Sequence, residues 1–303
     1  MIKMLDFRHE TFLMLCSCGS FTKAAEQLHV TQPAVSQHIK YLEEYYGCKL
    51  IDTSNRKIRI TQQGLRLKEF ATTIYSDSQH FKGNIRTFKS EEIHFSFGAT
   101  LSIGEYVMPT ILSRLLAAFP AITFQMTVAN TKTLLEQLNQ GELDFILVEG
   151  LFDKMQYDTT LFRLENFIPV CSPQAEFATQ AVRFESLRNN RLILRESGSG
   201  TREIFEHILL DRNYSLNMFD RIIEVGNMAA IKQMVSKDLG ITFLFEVAAK
   251  KEIASGELSK INIVDFSEQR EFNFVTLKDS FFREQYMRIF QLLNQAAAEE
   301  EEM

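Results

Sequence analysis

The amino-acid sequence predicts an α/β protein with three parts: an N-terminal winged helix-turn-helix, a long linker helix and a larger α/β domain. Three observations carry this prediction. Two short amphipathic helices and a polar-tipped hairpin fall within the first sixty or so residues. Apolar residues then recur at heptad spacing, and strands alternate with helices beyond residue 91. We place the three parts at residues 1–62, 63–90 and 91–303.

The composition is that of a globular protein with a sizeable core, since 45% of its 303 residues are hydrophobic and 24% are charged. No run of eighteen apolar residues occurs, and the acidic Asp6 near the start argues against a secretory signal. We therefore expect a cytoplasmic protein with no membrane contact. The net charge of −6 is uneven, because residues 1–90 hold 13 Lys and Arg against 8 Asp and Glu. This excess weakly favours contact of the first part with a polyanion.

No catalytic or metal-binding pattern stands out in the sequence. The four cysteines form neither a disulfide framework nor metal-spaced pairs, so we expect buried free thiols at Cys16, Cys18, Cys48 and Cys171. The six histidines lack a His-Glu-x-x-His spacing, and P-loop and nucleophile-elbow motifs are absent. We predict no enzyme activity, no metal and no cofactor. An α/β metabolic enzyme is the alternative from another functional class, and turnover of a bound metabolite would support it.

The first three predicted helices have recognisable ends. The first runs from Asp6 to Cys18 and stops at a glycine, while Thr22 can cap the second. Thr31 is a good N-cap for the third helix, and Pro33 falls in its first turn, where a missing N–H costs nothing. Two short helices joined by a tight turn form a helix-turn-helix unit.

The polar face of the third helix is the candidate recognition surface. Its apolar stripe consists of Val35, Ile39 and Leu42. The opposite face carries Gln32, Ser36, Gln37 and Lys40. Short hydrogen-bonding groups at the start of a helix, followed by a cation, suit base edges and phosphates in the major groove. On this helix alone, an ordinary solvated face is an equally good interpretation.

A hairpin after this helix favours the DNA-binding interpretation. Residues 49–52 and 58–60 predict two strands, joined by a polar turn with Arg56 and Lys57 at its tip. A cationic tip beside a recognition helix is typical of a wing, which contacts the DNA backbone or the minor groove. Thr61 and Gly64 then open the long helix.

One continuous motif runs through about the first 65 positions without a gap. It reads Phe21-Thr22-x-Ala24-Ala25-x-x-Leu28-x-Val30-Thr31-Gln32-Pro33-Ala34-Val35-Ser36-x-x-Ile39, then Leu42-x-x-x-x-Gly47 and Thr61-x-x-Gly64. In this order it resembles the LysR-type transcriptional regulators. The resemblance implies that Gln32, Pro33, Ser36 and Gln37 lie at double-stranded operator DNA and that Arg56 lies in the wing. Our DNA-binding candidates are Thr31, Gln32, Pro33, Ser36, Gln37, Lys40, Arg56 and Lys57.

Gln37 departs from the family pattern. Many members have Arg at the matching position. Because Gln suits adenine better than guanine, we expect base reading at this step to differ.

The segment from Gln62 to about Lys89 predicts one long helix. Its apolar residues recur every three or four positions, with Ser78 filling one step, at Leu67, Phe70, Ile74, Phe81, Ile85 and Phe88. This pattern predicts a coiled-coil seam of roughly three heptads, although a helix packed on its own body would look similar. The family resemblance implies a linker that pairs two subunits antiparallel. We therefore expect a homodimer or homotetramer, because a two-fold operator needs two recognition helices.

The remaining residues predict a mainly parallel sheet with helices on both faces. The predicted strands lie at 93–97, 122–128, 145–148, 192–194, 222–225 and 241–245, and the helices at 102–119, 133–138, 201–210, 229–235 and 281–298. One domain or two similar lobes would fit. The family resemblance implies a two-lobed, periplasmic-binding-protein-like effector domain. We expect lobe 1 at about 91–167 and 270–303, lobe 2 at about 168–269, crossovers near 167–172 and 267–272, and a disordered acidic tail at 299–302.

Three segments that follow strands and open helices are candidate ligand sites. They are Thr100-Leu101-Ser102, Asn130-Thr131 and the glycine loop from Gly198 to Arg202. Hydroxyls and free N–H groups at such positions form an anion cradle, although plain helix capping explains each one separately. The resemblance matches them to the family's effector contacts. Our effector-binding candidates are Thr100, Leu101, Ser102, Thr131, Glu149, Gly200, Thr201 and Arg202.

Glu149 is the discordant member of this set. A carboxylate in an anion cradle disfavours a doubly charged anion and suits an effector that also carries an ammonium or another donor. We therefore predict a small carboxylate-containing effector, and a zwitterion fits it. An almost equally good interpretation is that Glu149 points to solvent or pairs with an Arg. Two further possibilities stay open: RNA polymerase as a partner, and control by a protein partner without any small effector.

Overall fold

The computed structural model describes residues 5–54, 58–84 and 93–298. The predicted α/β class is confirmed, because a winged helix-turn-helix, a long helix and a two-lobed α/β domain follow one another along the chain. The wing tip with Arg56 and Lys57, linker residues 85–90 and the acidic tail at 299–302 lie outside the described residues. Within the described ranges, no helix is both long enough and apolar enough to span a bilayer.

Three helices build the N-terminal unit: α1 Phe7–Cys18, α2 Phe21–Gln27 and α3 Gln32–Tyr46. The Thr31 hydroxyl accepts from the Ala34 N–H at 3.3 Å and caps α3. The predicted cap of α2 was wrong by two residues, since Ser20 accepts from the Lys23 N–H and Thr22 lies inside the helix. The helix begins earlier because Phe21 packs against the apolar core of this unit.

The core of the N-terminal unit joins the three helices to the wing and to the long helix. Its members are buried: Phe12, Leu15, Ala24, Ala25, Val35, Ile39, Leu42, Leu50, Ile51 and Leu67. Val35, Ile39 and Leu42 are the predicted apolar stripe of α3. Because this stripe faces inward, the opposite face of α3 is turned to solvent.

The wing consists of β1 Ile51–Asp52 and β2 Arg59–Ile60, which pair antiparallel. The Glu43 carboxylate on α3 accepts from the N–H groups of Leu50 and Ile51, at 3.0 and 3.3 Å. These bonds tie the start of the wing to the end of the recognition helix. The base of the wing therefore has a fixed position relative to α3.

The linker helix α4 spans Gln62–Asn84. The predicted seam divides between two environments. Leu67 is buried in the core of the N-terminal unit, whereas Phe70 is 62% exposed and Phe81 is 42% exposed. The assignment of Leu67 to the seam was wrong, because the start of α4 closes the bottom of the winged helix-turn-helix.

Lobe 1 is organised around three parallel strands: β3 Ile93–Ala99, β4 Ile122–Val128 and β5 Phe145–Val148. Its helices are α5 Leu101–Tyr106, α6 Met108–Ala118, α7 Thr131–Asn139 and α11 Arg283–Ala298. The single helix predicted at 102–119 was wrong. The chain breaks at Val107, because Pro109 follows closely and supplies no N–H to continue the first helix.

Two long antiparallel strands join the lobes, and neither appeared among the predicted strands. They are β6 Tyr157–Cys171 and β11 Glu268–Leu277. Their pairing runs from Tyr157 opposite Leu277 to Phe167 opposite Glu268. Beyond Phe167, β6 continues into lobe 2, where it pairs with β9 Thr242–Phe245 and β10 Ser259–Lys260. One sheet therefore extends through both lobes. The prediction of a mainly parallel sheet was wrong, because every pairing that involves β6 or β11 is antiparallel.

Lobe 2 adds a second small sheet, in which β7 Arg191–Leu194 and β8 Arg221–Glu224 pair in parallel. Its helices are α8 Gly200–Asp211, α9 Met228–Ser236 and α10 Glu246–Ser255. Phenylalanine rings fill the space between the layers, for example Phe167 against Phe245 and Phe245 against Phe272. These rings belong to one apolar cluster that includes residues of both lobes.

Candidate functional site

The solvent-facing side of α3 holds the residues proposed for DNA contact. Thr31, Gln32, Pro33, Gln37 and Lys40 are exposed, and Ser36 is half-buried. The Gln32 side-chain amide donates to the Ser36 hydroxyl at 2.9 Å, one helical turn away. This bond holds the Gln32 side chain along the helix, toward Ser36.

At the charged end of this face, Lys40 has an acidic neighbour and a second cation lies close by. Lys40 lies 3.7 Å from Glu44, but both side chains are largely exposed, so the pair costs little to open. Sequence reasoning missed Arg8 on α1, whose guanidinium stacks on the Tyr41 ring at 4.0 Å from its centroid. Arg8 and Tyr41 line a surface cavity of about 340 Å³ with Gln37 and Lys40. No local signal links positions 33 residues apart.

A second polar cluster lies where three strands of lobe 1 end. Thr100 follows β3, Thr131 opens α7 after β4, and Glu149 follows β5. Because these strands are parallel neighbours, their carboxyl ends meet at one edge of the sheet. All three side chains are buried, with 3 to 6% of their surface exposed.

Each of these three side chains has a polar atom without a partner. The atoms are Thr100 Oγ1, Thr131 Oγ1 and Glu149 Oε2, all buried and without a hydrogen bond. Buried polar groups in folded proteins are nearly always hydrogen-bonded, and each exception costs about 1–3 kcal/mol. Three such atoms at one strand edge leave hydrogen-bonding capacity that a polar ligand could use.

Lobe 2 covers this edge with the start of α8. The Ser102 and Thr201 hydroxyls meet across the lobes at 3.5 Å. A Cβ atom on Gly200 would lie 3.6 Å from Gly150 Cα and 3.7 Å from Thr131 Oγ1. The N-cap residue of α8, Ser199, makes no side-chain cap bond to the first N–H groups of that helix. The lobes are therefore close together here, with donors on both sides.

Burial controls the charge of this cluster. It raises the pKa of Glu149 to about 7, against the smaller opposing effects of its own N–H, Ser102 and Arg195. The Arg195 side chain, also buried, makes two bonds of 2.7 Å to the Glu196 carboxylate. Glu149 thus exchanges a proton near neutral pH. It does not point to solvent, nor does it form a salt bridge with Arg195.

Two of the predicted effector residues have other surroundings. Arg202 bonds to the carboxylates of Glu206 and Glu224 on the surface of lobe 2, so the structure does not bring its charge to the cluster. Leu101 packs against the apolar core of lobe 2 together with Tyr106. Arg195, which sequence reasoning missed, is the cation nearer to Glu149. Arg195 directly follows β7, as Thr100 follows β3 and Glu149 follows β5. This position at a strand end could have identified Arg195 from the sequence.

Metal binding has no support among the described side chains, where no group of three His, Cys, Asp or Glu residues has suitable geometry. All four cysteines are free, but the expectation that all are buried was wrong, since only Cys171 is buried and Cys16, Cys18 and Cys48 are partly exposed. Burial raises the pKa of both Cys16 and Cys171 to about 12, which makes these thiols poorly reactive.

A winged helix-turn-helix with an exposed polar recognition face, joined to a two-lobed α/β domain, defines a DNA-binding transcriptional regulator with a substrate-binding domain. Residues 8–65 match the family described as bacterial regulatory helix-turn-helix protein, lysR family, and residues 89–298 match the LysR substrate binding domain. The chain belongs to the LysR family of transcriptional regulators.

Similar proteins carry regulator names. The chain is 28% identical over 260 residues to an uncharacterized HTH-type transcriptional regulator, MJ0300, of Methanocaldococcus jannaschii, covering 84% of this chain and 87% of that protein. It is 26% identical to the transcriptional regulator CysL of Bacillus subtilis, over 88% of this chain and 89% of that one. These relatives are named as regulators and not as enzymes.

Solved structures share the fold. A mutant of Corynebacterium glutamicum OxyR superposes with a TM-score of 0.62 at 22% identity, covering 97% of this chain and 91% of that chain. The regulatory domain of Synechocystis CcmR, in complex with 2-PG, gives a TM-score of 0.59 at 19% identity, covering 67% of this chain and 98% of that chain. The second likeness covers the effector domain.

Proposed function

We propose that this regulator responds to a small carboxylate-containing metabolite bound between its lobes. The observation that carries the proposal is the set of three buried, unpartnered atoms on Thr100, Thr131 and Glu149. Hydroxyls and uncapped N–H groups at a helix start favour an anion. The structure of the CcmR regulatory domain in complex with 2-PG supports a small ligand, because that domain shares the fold of this one.

Glu149 limits which anions fit. In its protonated form it donates to a carboxylate, and in its ionised form it accepts from an ammonium or a hydroxyl on the same ligand. A zwitterion or a hydroxy acid satisfies both faces of the cluster.

DNA contact is proposed through Thr31, Gln32, Pro33, Ser36, Gln37 and Lys40, with Arg56 and Lys57 in the wing. Two copies in a homodimer or homotetramer would read a two-fold operator, and the exposed Phe70 and Phe81 rings on α4 support pairing of linker helices. The effector shifts the equilibrium between two arrangements of the lobes, because it binds one arrangement more tightly than the other. RNA polymerase is a further partner in this proposal, and the cytoplasm is its location.

Removing two hydroxyls from the cluster is expected to abolish the response to carboxylates. We expect a panel of two- to four-carbon carboxylates, including amino and hydroxy acids, to raise the melting temperature of the protein. Thr100→Ala combined with Thr201→Ala should lower the affinity at least tenfold in calorimetric titration, because two hydrogen bonds to a charged group are lost.

The exposed Thr133→Ala on α7 is the matched control and should bind as the wild type does. Equal binding of the amides of the same acids, or unchanged affinity in the double variant, would contradict the carboxylate proposal. A panel without any response would favour control by a protein partner.

Replacing Gln37 is expected to change base preference more than total affinity. Gln37→Arg should shift one position of selected operator sequences from adenine to guanine, with a discrimination of roughly 1–3 kcal/mol. Lys40→Ala should instead weaken all sequences alike and reduce the salt dependence of binding. Selection from randomised duplexes measures both effects, and an identical selected sequence for the wild type and Gln37→Arg would exclude Gln37 from base reading.

A further inference from the structure

The buried cluster of Thr100, Thr131 and Glu149 combines two kinds of hydrogen-bonding group. The two threonine hydroxyls have no hydrogen bond and can donate to a ligand. The start of α8 covers the cluster, and Ser199 makes no cap bond to its first N–H groups. An ionised Glu149 can only accept, whereas the protonated acid also donates. The protonation state of this one side chain therefore decides whether the whole cluster offers donors to an anion.

Glu149 lies close to the groups that would hold an anion. Its side chain is buried, and its Oε2 atom has no hydrogen bond. A Cβ atom on Gly200 would lie 3.9 Å from Glu149 Oε1 and 3.7 Å from Thr131 Oγ1, so both oxygens are within 4 Å of one point. A Cβ atom on Gly150 would lie 2.2 Å from Thr131 Oγ1, so only a glycine fits beside this hydroxyl. An anion that accepts from Thr131 is therefore a near neighbour of the Glu149 carboxyl.

Arg195 is the charged side chain that acts on Glu149. Helix α5 contributes the neutral hydroxyl of Ser102 and α7 that of Thr131, while Arg195 lies at the end of β7. The Arg195 guanidinium makes two bonds of 2.7 Å to the carboxylate of the next residue. Arg202 on α8 bonds to two other carboxylates of lobe 2. A ligand carboxylate would therefore add a second negative charge beside Glu149, where both nearby arginines already have anionic partners.

We propose that Glu149 binds the effector as the neutral acid, that each bound carboxylate therefore brings one proton into the site, and that the effector has no ammonium group beside this carboxylate. The neutral acid donates to the ligand and avoids the repulsion between two buried negative charges. An ammonium would need acceptors, and it would instead meet hydroxyls and the positive end of α8. The inference rests on the proposed function and narrows its ligand class to plain acids and hydroxy acids.

The affinity of such a site falls as the pH rises. Burial raises the pKa of Glu149 to about 7 in the free protein. The free protein therefore holds this proton in about nine molecules of ten at pH 6 and in about one of ten at pH 8. A ligand that binds only the protonated form loses about tenfold in affinity over this range, because the competent fraction falls by that factor. Acidification thus strengthens the response of this regulator to its effector.

Calorimetric titration measures the proton directly. The probes are three pairs of acids that differ by a hydroxyl or an ammonium beside the carboxylate: glycolate and glycine, lactate and alanine, malate and aspartate. Each is titrated at pH 6 and pH 8 in two buffers of different ionisation enthalpy, because a proton taken from the buffer adds to the measured heat. We expect the hydroxy acids to bind more tightly than their amino counterparts, with uptake of about 0.9 proton at pH 8 and about 0.1 at pH 6.

The variant Glu149→Gln separates the proton from the rest of the site. Glutamine has an N–H donor where the neutral acid has an O–H, and it cannot ionise. The variant should therefore bind a hydroxy acid at pH 8 about tenfold more tightly than the wild type, without proton uptake. Glu136→Gln, which neutralises an exposed carboxylate on α7, is the matched control and should keep the wild-type uptake and pH dependence.

Binding of a hydroxy acid without proton uptake at pH 8 would overturn the inference, and so would an uptake that Glu149→Gln retains. Tighter binding of an amino acid than of its hydroxy counterpart would overturn it as well. In each of these outcomes a carboxylate still binds, so the proposed function stands. A panel in which no acid binds contradicts the proposed function itself, which separates the two failures.

Discussion

Glu149→Gln is expected to stabilise the protein by roughly 3 kcal/mol at pH 8 and by less than about 1 kcal/mol at pH 5. The Glu149 carboxyl is buried, and burial raises its pKa from 4.5 to about 7. Glutamine has the shape of the protonated acid but cannot ionise. The variant therefore avoids the cost of placing a negative charge in this environment.

The pH dependence follows from proton binding in the two states. Between pH 4.5 and about 7 the folded protein keeps the proton on Glu149 while the unfolded chain releases it. Stability therefore falls as the pH rises through this window, and the loss is complete above it. Denaturant unfolding of the wild type and the variant at several pH values measures the difference.

Glu136→Gln is the matched control, because Glu136 is an exposed carboxylate of the same lobe. Its effect on the free energy of unfolding should be small and equal at both pH values. A Glu149→Gln variant with the same stability increment at pH 5 and pH 8 would mean that the carboxyl is not desolvated by the lobes. Glu149 would then not exchange a proton near neutral pH.

Gly64→Ala is expected to destabilise the winged helix-turn-helix by about 2 kcal/mol and to lower its melting temperature by roughly 10 °C. A Cβ atom on Gly64 would lie 2.2 Å from the Leu50 carbonyl oxygen and 2.8 Å from Ile60 Cγ2. The Leu50 oxygen also accepts from the Thr61 N–H at 3.0 Å. Since the contact is with backbone, the start of α4 has to move away from the wing.

DNA binding should fall with stability, because the wing loses its support on α4. Calorimetry and gel shift on the full chain measure the two effects. Gln63→Ala, one residue earlier and exposed, should change the stability by no more than about 0.5 kcal/mol. Full stability in Gly64→Ala would show that the first turn of α4 does not pack on Leu50.

Gly64 also shows which features a local sequence motif can predict. The spacing Thr61-x-x-Gly64 is local, and both residues serve one contact: the Thr61 hydroxyl bonds to the carbonyls of Lys49 and Leu50, and Gly64 leaves room for that chain. The motif predicts the unit correctly because its members are neighbours in the helix. The carbonyl that they meet follows only from the packed structure.

In the candidate ligand site, too, local spacing predicted some features and only the packed structure showed the others. Thr100, Thr131 and Thr201 were grouped because each follows a strand and opens a helix. The structure brings Thr201 to within 3.5 Å of Ser102 and the neighbouring Gly200 close to Thr131. That they bind an effector stays a prediction. Arg195 follows β7 directly, whereas Arg202 lies within α8. Glu196 and Glu206 are only one and four residues from the arginines that they bond, but the bond from Arg202 to Glu224 joins α8 to β8 and could not be assigned from spacing.

By itself, the sequence determined the helix-turn-helix, the linker helix, the parallel strands of lobe 1 and the family of this protein. These features depend on caps, turns and periodicity among residues within a few positions of each other. Only the tertiary structure decided that Leu67 leaves the linker seam, that β6 and β11 join the lobes, and that His80 meets Asp144. Those outcomes depend on which distant elements pack together, and short-range patterns carry no record of such partners.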